Sequence, residues 1–406
     1  MASYKKIAAN TFFQIIARVL TSGTSFLFTI LIARRLGVSG YGDFAKITAF
    51  VSLFYLFIDL GLNAIFLQKE DNKYRFKELF YGRLLFSFAC IVVVNTLAYL
   101  LPYNPITHIG YSPFVRLGIF LFSLTLFTEG ITYTASAVFQ REHSYRSLTN
   151  ASLISSLITL LCLLFVLTTH QGLLVILGIF VVGSFVKAFL SLFLTREKIR
   201  PFLIDREFIR RLVQEAFPVT LVLIFNLIYF RIDMLLIGIM KPSSDVEIYN
   251  LAYSFFDSFL TIPLFLSNAL YPTLLRDEKE RRHSPAMLIK YAGIFVCCSF
   301  AIIILGWLLS PLLSLIRPDF VPAIIPLRIF LVSLPLFFIT NIFQWLLIAK
   351  KQQKFLVKVY FIAMVINIIA NIIFIPHYSY IASAIITGLS EGIVLCFLTW
   401  KLFLSI

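Results

Sequence analysis

The chain has 406 residues, of which 60% are hydrophobic and only 14% are charged, and its formal net charge is +15. A soluble domain is usually about 45–50% apolar and about 25% charged, so this composition excludes an ordinary soluble protein. At about 20 residues for each helical span, twelve spans would occupy most of the chain and leave no room for a separate soluble domain.

Apolar runs of span length recur along the whole sequence. They are too long and unbroken for the alternating strands of a membrane β-barrel, so the predicted fold class is an all-α integral membrane protein. In chain order, we predict twelve transmembrane helices at about residues 10–33, 43–67, 80–101, 114–138, 149–169, 172–195, 212–240, 246–274, 287–309, 322–348, 355–375 and 379–404.

The longest predicted inner connection, at about residues 196–211, divides these helices into two groups of six. The halves resemble each other at an offset of about 208 residues, which pairs Tyr41 with Tyr249. Helices 4 and 10 run into two similar basic hairpins, FQREHSYR and IAKKQQKF. Because six-plus-six repeats are common in secondary transporters, we predict two six-helix bundles related by a pseudo-two-fold, at residues 1–200 and 201–406.

Lysine and arginine are distributed unequally between the two sets of connections. The set that includes both termini and the segment 68–83 holds 25 of the 35 cations, and the opposite set holds seven. By the positive-inside rule, both termini are expected in the cytoplasm, for a multi-pass protein of the cytoplasmic membrane. The net charge is therefore a topology signal, and we expect no nucleic-acid partner because a basic patch for DNA needs a soluble face.

Eight ionisable residues lie within the predicted spans. Each costs about 2.5–3.5 kcal/mol at a helix centre on insertion scales, so each is expected to face a cavity or a partner. Structural ion pairs between helices could explain any one of them, but eight residues in both halves favour a polar central cavity. The cations would suit an anion such as phosphate or pyrophosphate. The candidates for substrate binding are Arg18, Lys187 and Arg231, and those for ion coupling or gating are Asp59, Glu129, Asp233, Asp257 and Glu391.

Two of these residues stand in one apolar stretch, LIFNLIYFRIDMLLIGIM at residues 223–240. Arg231 and Asp233 are two residues apart, which turns them about 200° from each other on a helix. They cannot pair on one helix face, so we expect each to find partners on other helices. The carboxylates in the spans would suit a coupling proton or sodium ion, and a role in helix packing is an equal alternative for Asp59.

No nucleophile–base pair and no metal-ligand cluster is visible in the sequence. The longest predicted outer segments, at about residues 102–113 and 310–321, are short for the catalytic domain of a membrane glycosyltransferase, polymerase or ligase. We therefore expect no enzyme activity and no bound cofactor, and a polyprenol-dependent glycosyltransferase or ligase is kept as a weaker alternative.

Several segments together resemble a known family. They are ARRLGVSGYGDFA and DLGLN in the first half, FRIDMLLIG and DVEIYNLAYSF in the second, and IPLRIFLVSLPLFFITNIFQWLLIAKKQQKF around helix 10. In this order they resemble the Wzx-type polysaccharide flippases, which belong to the multidrug/oligosaccharidyl-lipid/polysaccharide exporter (MOP) superfamily. The resemblance extends over essentially the whole chain.

The resemblance implies a MATE-like transporter of twelve helices in two bundles, working as a monomer by alternating access. Its expected substrate is an undecaprenyl-pyrophosphate-linked oligosaccharide, moved between leaflets for the synthesis of surface polysaccharide. Arg18, Lys187 and Arg231 are the candidates for its cationic cavity. Membrane lipids and the polysaccharide polymerase machinery are the other expected partners.

Two transporter alternatives remain. A multidrug exporter of the same superfamily would carry cationic aromatic drugs, which the three cavity cations would repel. A lipid II flippase of the related peptidoglycan type usually has fourteen helices, whereas this sequence predicts twelve.

Overall fold

The computed structural model describes residues 2–403 except for 60–61, 64–74, 143–144, 170, 198–209, 211–224, 226–227, 280–284 and 351. Side chains before residue 23 lie outside this description, and Arg18 is among them. The described part is almost entirely helical, as the sequence predicts, because a helix satisfies all its backbone hydrogen bonds within one segment.

The contacts divide the chain into two compact units. The first comprises residues 1–36 and 43–224, and the second comprises residues 37–42 and 225–406. The predicted domain boundary after residue 200 falls in a segment outside the described residues and stays a prediction.

The first unit contains six described helices and a short β-hairpin whose two strands have two residues each. The helices are α1 (Ala2–Ser52), α2 (Tyr55–Asp59), α3 (Arg75–Leu100), α4 (Pro113–Arg141), α5 (Tyr145–Thr168) and α6 (Leu173–Thr195). The antiparallel hairpin between α3 and α4 pairs β1 (Tyr103–Asn104) with β2 (Ile109–Gly110). Predicted helix 1 and the first part of predicted helix 2, up to Ser52, form the single element α1, which is interrupted at Gly37.

The second unit begins with α7, of which residues 228–240 are described without a break. It continues with α8 (Ser243–Lys279), α9 (Pro285–Leu309), α10 (Leu313–Ile316), α11 (Ile324–Ala349) and α12 (Gln353–Phe403). Two 3₁₀ turns, Ser310–Leu312 and Pro318–Ala323, flank α10. Predicted helices 11 and 12 both lie in α12, which is interrupted at Ser379, where φ is 49°.

Each unit is organised around one central helix. In the first unit α4 packs against α3 and α6, and in the second α11 packs against α8, α9 and α12. These are the fourth helices of the two predicted repeats. About half of each central helix is buried, whereas the peripheral helices expose large apolar side chains, including Phe88, Phe165, Phe193 and Leu308. Such faces suit contact with lipid rather than water.

Length and composition make eight of the described helical segments able to cross a membrane, and one of these is the double-length α12. The protein is therefore a multi-pass membrane protein.

The connection between predicted helices 1 and 2 depends on two glycines. Gly37 has φ of 69°, a left-handed conformation that glycine adopts without steric cost. Gly42 lies against α8, where a Cβ atom added to it would stand 1.9 Å from the carbonyl oxygen of Ser243. The backbones of the two segments can approach this closely only because residue 42 has no side chain.

Lys46 is one of the seven cations that the charge count assigned to the outer connections, and the structure contradicts that assignment. The structure places it inside α1, where its side chain is buried. Its Nζ donates a hydrogen bond of 2.9 Å to the carbonyl oxygen of Gly110 and lies 5.9 Å from the centre of the Tyr111 ring. Lys46 thus attaches the β-hairpin to α1. Its charge serves this contact and gives no information about which side of the membrane the segment faces.

We expect Gly42→Ala to destabilise the protein by about 1–3 kcal/mol, because its methyl group would overlap the backbone of Ser243. The measurement is the apparent melting temperature of the purified protein in detergent. Gly178→Ala is the matched control, since a Cβ at this α6 position meets nothing within 4 Å. Equal melting temperatures for the two variants would contradict the assigned contact.

Candidate functional site

The first unit contains an ion pair between two predicted site residues. Lys187 on α6 donates to Oε1 of Glu129 on α4, with a distance of 2.9 Å. The two side chains are 29% and 16% exposed, so the pair is partly screened from its surroundings. The pair joins the central helix of this unit to a neighbour, and the carboxylate already compensates the charge of Lys187.

A second ion pair involves a residue that sequence reasoning missed. Asp59, at the end of α2, accepts a hydrogen bond of 3.2 Å from Nη2 of Arg83 on α3. The same nitrogen lies 2.8 Å from Oδ1 of Asn63. Arg83 was counted with the inner flank of its helix, but its side chain is fully buried. Within the described part of the chain, its Nε and Nη1 atoms have no hydrogen-bond partner. One signal for Arg83 was present in the sequence: Asp59 and Asn63 of FIDLGLN lie one helical turn apart, and their side-chain oxygens need a hydrogen-bond donor from another helix.

Arg231 in the second unit has a looser partner. Its Nη2 lies 3.7 Å from Oδ2 of Asp257 on α8, which exceeds hydrogen-bond distance. Its guanidinium stands 5.3 Å from the centre of the Tyr253 ring, within range of a cation–π interaction. The Arg231 and Asp257 side chains are 32% and 54% exposed, so donors of Arg231 remain accessible.

Asp233 points to a different side of α7 and is almost completely buried, with 2% of its surface exposed. It accepts hydrogen bonds from the Tyr249 hydroxyl of α8, from the backbone N–H of Met234 at 2.7 Å and from the Thr387 hydroxyl of α12 at 3.2 Å. The expectation that Arg231 and Asp233 find partners on other helices is confirmed.

A chain of neutral polar groups continues from Asp233 along α12. Ser383 donates to Oδ1 of Asn371 at 2.8 Å, and Asn371 donates in turn to Oδ1 of Asn367 at 2.9 Å. Thr387 lies one turn beyond Ser383 and joins this chain to Asp233. All of these side chains are buried, so the second unit has a polar core made of amides and hydroxyls around one carboxylate.

Glu391, a further turn along α12, is equally buried. Its Oε2 atom accepts a hydrogen bond of 2.9 Å from the Tyr229 hydroxyl of α7, and its Oε1 atom contacts the Thr340 hydroxyl of α11. Thus α12 contacts Asp233 through Thr387 and contributes Glu391 itself. The sequence indicated both carboxylates but gave no sign of which hydroxyls would surround them.

The structure therefore brings the predicted residues together in separate groups. Lys187 lies with Glu129, Arg231 lies with Asp257, and Asp233 and Glu391 line the polar core of the second unit. Asp59 is held by Arg83. Within the described residues, no group of three His, Cys, Asp or Glu side chains could hold a metal ion.

Residues 7–278 match the family described as Polysaccharide biosynthesis protein. The chain belongs to the polysaccharide biosynthesis protein family. The matched region contains the Asp59–Arg83, Glu129–Lys187 and Arg231–Asp257 pairs.

Members and structural neighbours of this family agree with its transporter-like fold. The chain is 22% identical to the "Putative O-antigen transporter" of Shigella dysenteriae, over 95% of this chain and 98% of that protein. Its fold is similar to the lipid II flippase MurJ in an inward closed conformation, with a TM-score of 0.79, 16% identity and coverage of 97% of this chain and 87% of MurJ. It is also similar to an inward-facing multidrug resistance MATE family transporter of the MOP superfamily, with a TM-score of 0.75, 12% identity and coverage of 95% and 94%.

These relatives are transporters and flippases rather than enzymes, which agrees with the absence of a catalytic motif in the sequence. The resemblance to a family of polysaccharide synthesis noted in the sequence is confirmed by the family match. This member of the polysaccharide biosynthesis protein family has a fold similar to those of MurJ and of a MATE family transporter.

We expect Arg83→Met to destabilise this family member, because it leaves the Asp59 carboxylate without its cation. Removal of one partner from a buried pair costs about 3–5 kcal/mol, and the cost is lower here because Asp59 is about a third exposed. The measurement is the melting temperature in detergent. The double variant Arg83→Met/Asp59→Asn should recover part of the loss, and a strictly additive double variant would contradict the pairing.

Proposed function

We propose that this protein is a flippase for undecaprenyl-pyrophosphate-linked oligosaccharide units. It moves them from the inner to the outer leaflet of the cytoplasmic membrane for the synthesis of O-antigen, capsule or exopolysaccharide. The proposal is supported by the family match, by the likeness to an O-antigen transporter and by the fold shared with a lipid II flippase. The observation that carries it is the accessible guanidinium of Arg231 in an apolar helix.

Arg231 is suited to a pyrophosphate because its donors are not saturated by protein. Its distance of 3.7 Å from Asp257 leaves the ion pair without a direct hydrogen bond. A guanidinium presents its donors in a planar fork that fits phosphate oxygens with two parallel hydrogen bonds. The pyrophosphate could therefore take the place of the loose contact with Asp257, while the polyprenyl chain stays in lipid.

Lys187 has a weaker case than Arg231, although the sequence places both in the candidate cavity. Its direct contact of 2.9 Å with Glu129 would have to be broken or shared when an anion binds. We assign Lys187 a secondary role in holding the substrate, and Arg18 remains a proposed cavity residue from the sequence alone.

Transport by alternating access needs a source of energy or a gradient, and a coupling cation is the proposed source. Asp233 suits this role because it is a buried carboxylate in contact with the hydroxyls of Tyr249 on α8 and Thr387 on α12. The hydroxyl of Ser383 and the side-chain amide of Asn371 continue the polar chain along α12. Oxygen ligands of this kind bind a sodium ion or a proton. The other carboxylates of the spans, Asp59, Glu129 and Asp257, each lie beside a cation and are more suited to bracing or gating.

The second candidate function is the export of drugs or of another lipid-linked substrate, which the MATE-like fold supports. Cationic drugs would be repelled by Arg231, whose charge is only loosely compensated by Asp257. We therefore place it second. The proposed location is the cytoplasmic membrane with both termini in the cytoplasm, and the proposed working form is a monomer near the polysaccharide polymerase.

We expect Arg231→Ala to lose most of the polyprenyl-pyrophosphate oligosaccharide that copurifies with the parent protein. Hydrogen bonds to charged groups contribute about 1.5–3 kcal/mol, so the bound lipid should fall about tenfold or more. Mass spectrometry of the extracted lipids measures this loss at equal protein levels.

Two variants control this experiment. Arg231→Lys keeps the positive charge but lacks the planar guanidinium that makes two parallel hydrogen bonds, so it should retain an intermediate amount of lipid. Arg141→Ala removes an arginine of similar exposure that is paired with Glu197 at 3.3 Å, and should retain the parent amount. If Arg231→Ala binds as much lipid as the parent, the assignment of Arg231 is wrong, and tolerance to cationic dyes would then favour the drug exporter.

We expect Asp233→Asn to abolish the dependence of transport on the coupling cation, because the amide removes the charge but keeps the size of the side chain. Flipping of a fluorescent lipid-linked oligosaccharide in proteoliposomes is measured under a sodium gradient and, separately, under a pH gradient. The gradient that accelerates the parent protein identifies the ion. Acceleration of Asp233→Asn equal to that of the parent would exclude Asp233 as the coupling site.

A further inference from the structure

Asp233 and Glu391 have different surroundings, although each is only 2% exposed; the described part of the second unit also buries a third carboxyl group, that of Glu247 on α8. Asp233 accepts a backbone N–H at 2.7 Å, which can act only as a donor. It also lies within the electrostatic influence of Arg231, two residues away on the same helix. An obligatory donor and a nearby cation both stabilise the ionised form of Asp233.

The Thr387 hydroxyl beside Asp233 also lies 2.8 Å from the carbonyl oxygen of Ser383, so its proton is shared with the backbone. The ionised form of Asp233 does not depend on that proton, because the Tyr249 hydroxyl and a backbone N–H donate to the same carboxylate.

Glu391 has neither of these features. The groups in contact with it are the hydroxyls of Tyr229 from α7 and Thr340 from α11. Two further phenols, Tyr253 of α8 and Tyr360 of the first part of α12, lie within electrostatic range. Among the described residues, no cation forms an ion pair with Glu391. A buried charge that lacks a cation is costly, and such a group usually becomes neutral instead.

The hydroxyl of Thr340 shows where the proton of a neutral Glu391 would lie. Its Oγ1 is 2.8 Å from the carbonyl oxygen of Leu336 and 3.1 Å from that of Phe337. A threonine hydroxyl has one proton, and within a helix that proton commonly goes to the carbonyl of the preceding turn. Oγ1 of Thr340 then faces Oε1 of Glu391 as an acceptor, so a proton on Oε1 is needed between the two oxygens.

We propose that Glu391 is a proton-binding site, occupied in this conformation, and separate from the cation site around Asp233. The carboxyl Oε1–H donates to Thr340, and the Tyr229 hydroxyl donates to Oε2. On deprotonation, the proton passes from Oε1 to water. The Thr340 hydroxyl then turns from Leu336 to donate to Oε1, so the same two hydroxyls stabilise the carboxylate. This arrangement permits reversible protonation without a change of partners.

This assignment goes beyond the proposed function, because it concerns the charge state of one residue and does not depend on the substrate. Its ligand is the proton, and the two residues of the same unit are assigned different protonation states: Asp233 is ionised and Glu391 is neutral. A change of conformation that admits water to Glu391 would release one proton.

The test is infrared spectroscopy of the full-length protein in lipid membranes at neutral pH. A protonated carboxyl has a C=O stretching band that a carboxylate lacks. We expect this band in the parent protein, loss of the component that belongs to Glu391 in Glu391→Gln, and retention of that component in the matched variant Asp233→Asn. Glu247→Gln identifies any contribution from the other fully buried glutamate. A spectrum that Glu391→Gln leaves unchanged, or loss of the Glu391 component in Asp233→Asn, would overturn the proposal.

Thr340→Val keeps the test decisive if Glu391→Gln does not fold. Valine has the shape of threonine but cannot accept the carboxyl proton, so the band should move to higher frequency because the hydrogen bond is lost. Thr340→Ser should leave it in place. An unshifted band in Thr340→Val, or no protonated-carboxyl band in the parent protein, would show that Glu391 does not hold a proton between itself and Thr340.

Discussion

Every charge and every polar side chain in a membrane-spanning helix needs a partner from the protein, because the bilayer core supplies no water. This constraint explains the choice of central helices. The first unit is built around α4, which offers Glu129 to Lys187, and the second is built around α11, which offers Thr340 to Glu391. The peripheral helices can be apolar on their outer faces because these central helices provide the polar contacts.

The two units meet the same constraint in different ways. In the first, cations and carboxylates neutralise each other across helices, as Arg83 does with Asp59. In the second, Asp233 and Glu391 contact hydroxyls rather than cations. Arg231, two residues from Asp233, lies beside the more exposed Asp257. Paired charges hold helices in place, whereas a carboxyl among neutral groups can exchange a small cation or a proton. The division suggests a bracing unit and an ion-responsive unit.

Much of this plan could be predicted from the sequence. Long apolar runs determine the helices, and the intramembrane charges indicate where polar contacts are needed. The partners could not be predicted, because hydroxyls such as Tyr249 and Thr387 are common in membrane helices and give no local signal. Arg83 was missed for a different reason: its distance from the end of the apolar run resembles that of a flanking cation, and only the packing of α3 shows that it is buried.

The spacing of Arg231 and Asp233 has a physical use in this context. A helix that turns about 100° for each residue sends these side chains to nearly opposite sides. One side of α7 can therefore present the accessible guanidinium of Arg231 beside Asp257. The other side holds the buried carboxylate of Asp233 in contact with Tyr249 and Thr387. If binding of a cation at Asp233 shifts or rotates α7, the position of Arg231 must change as well, since both belong to one rigid turn. A short helical segment can thus link the proposed ion site at Asp233 to the proposed phosphate-binding group of Arg231 without any further connecting residue.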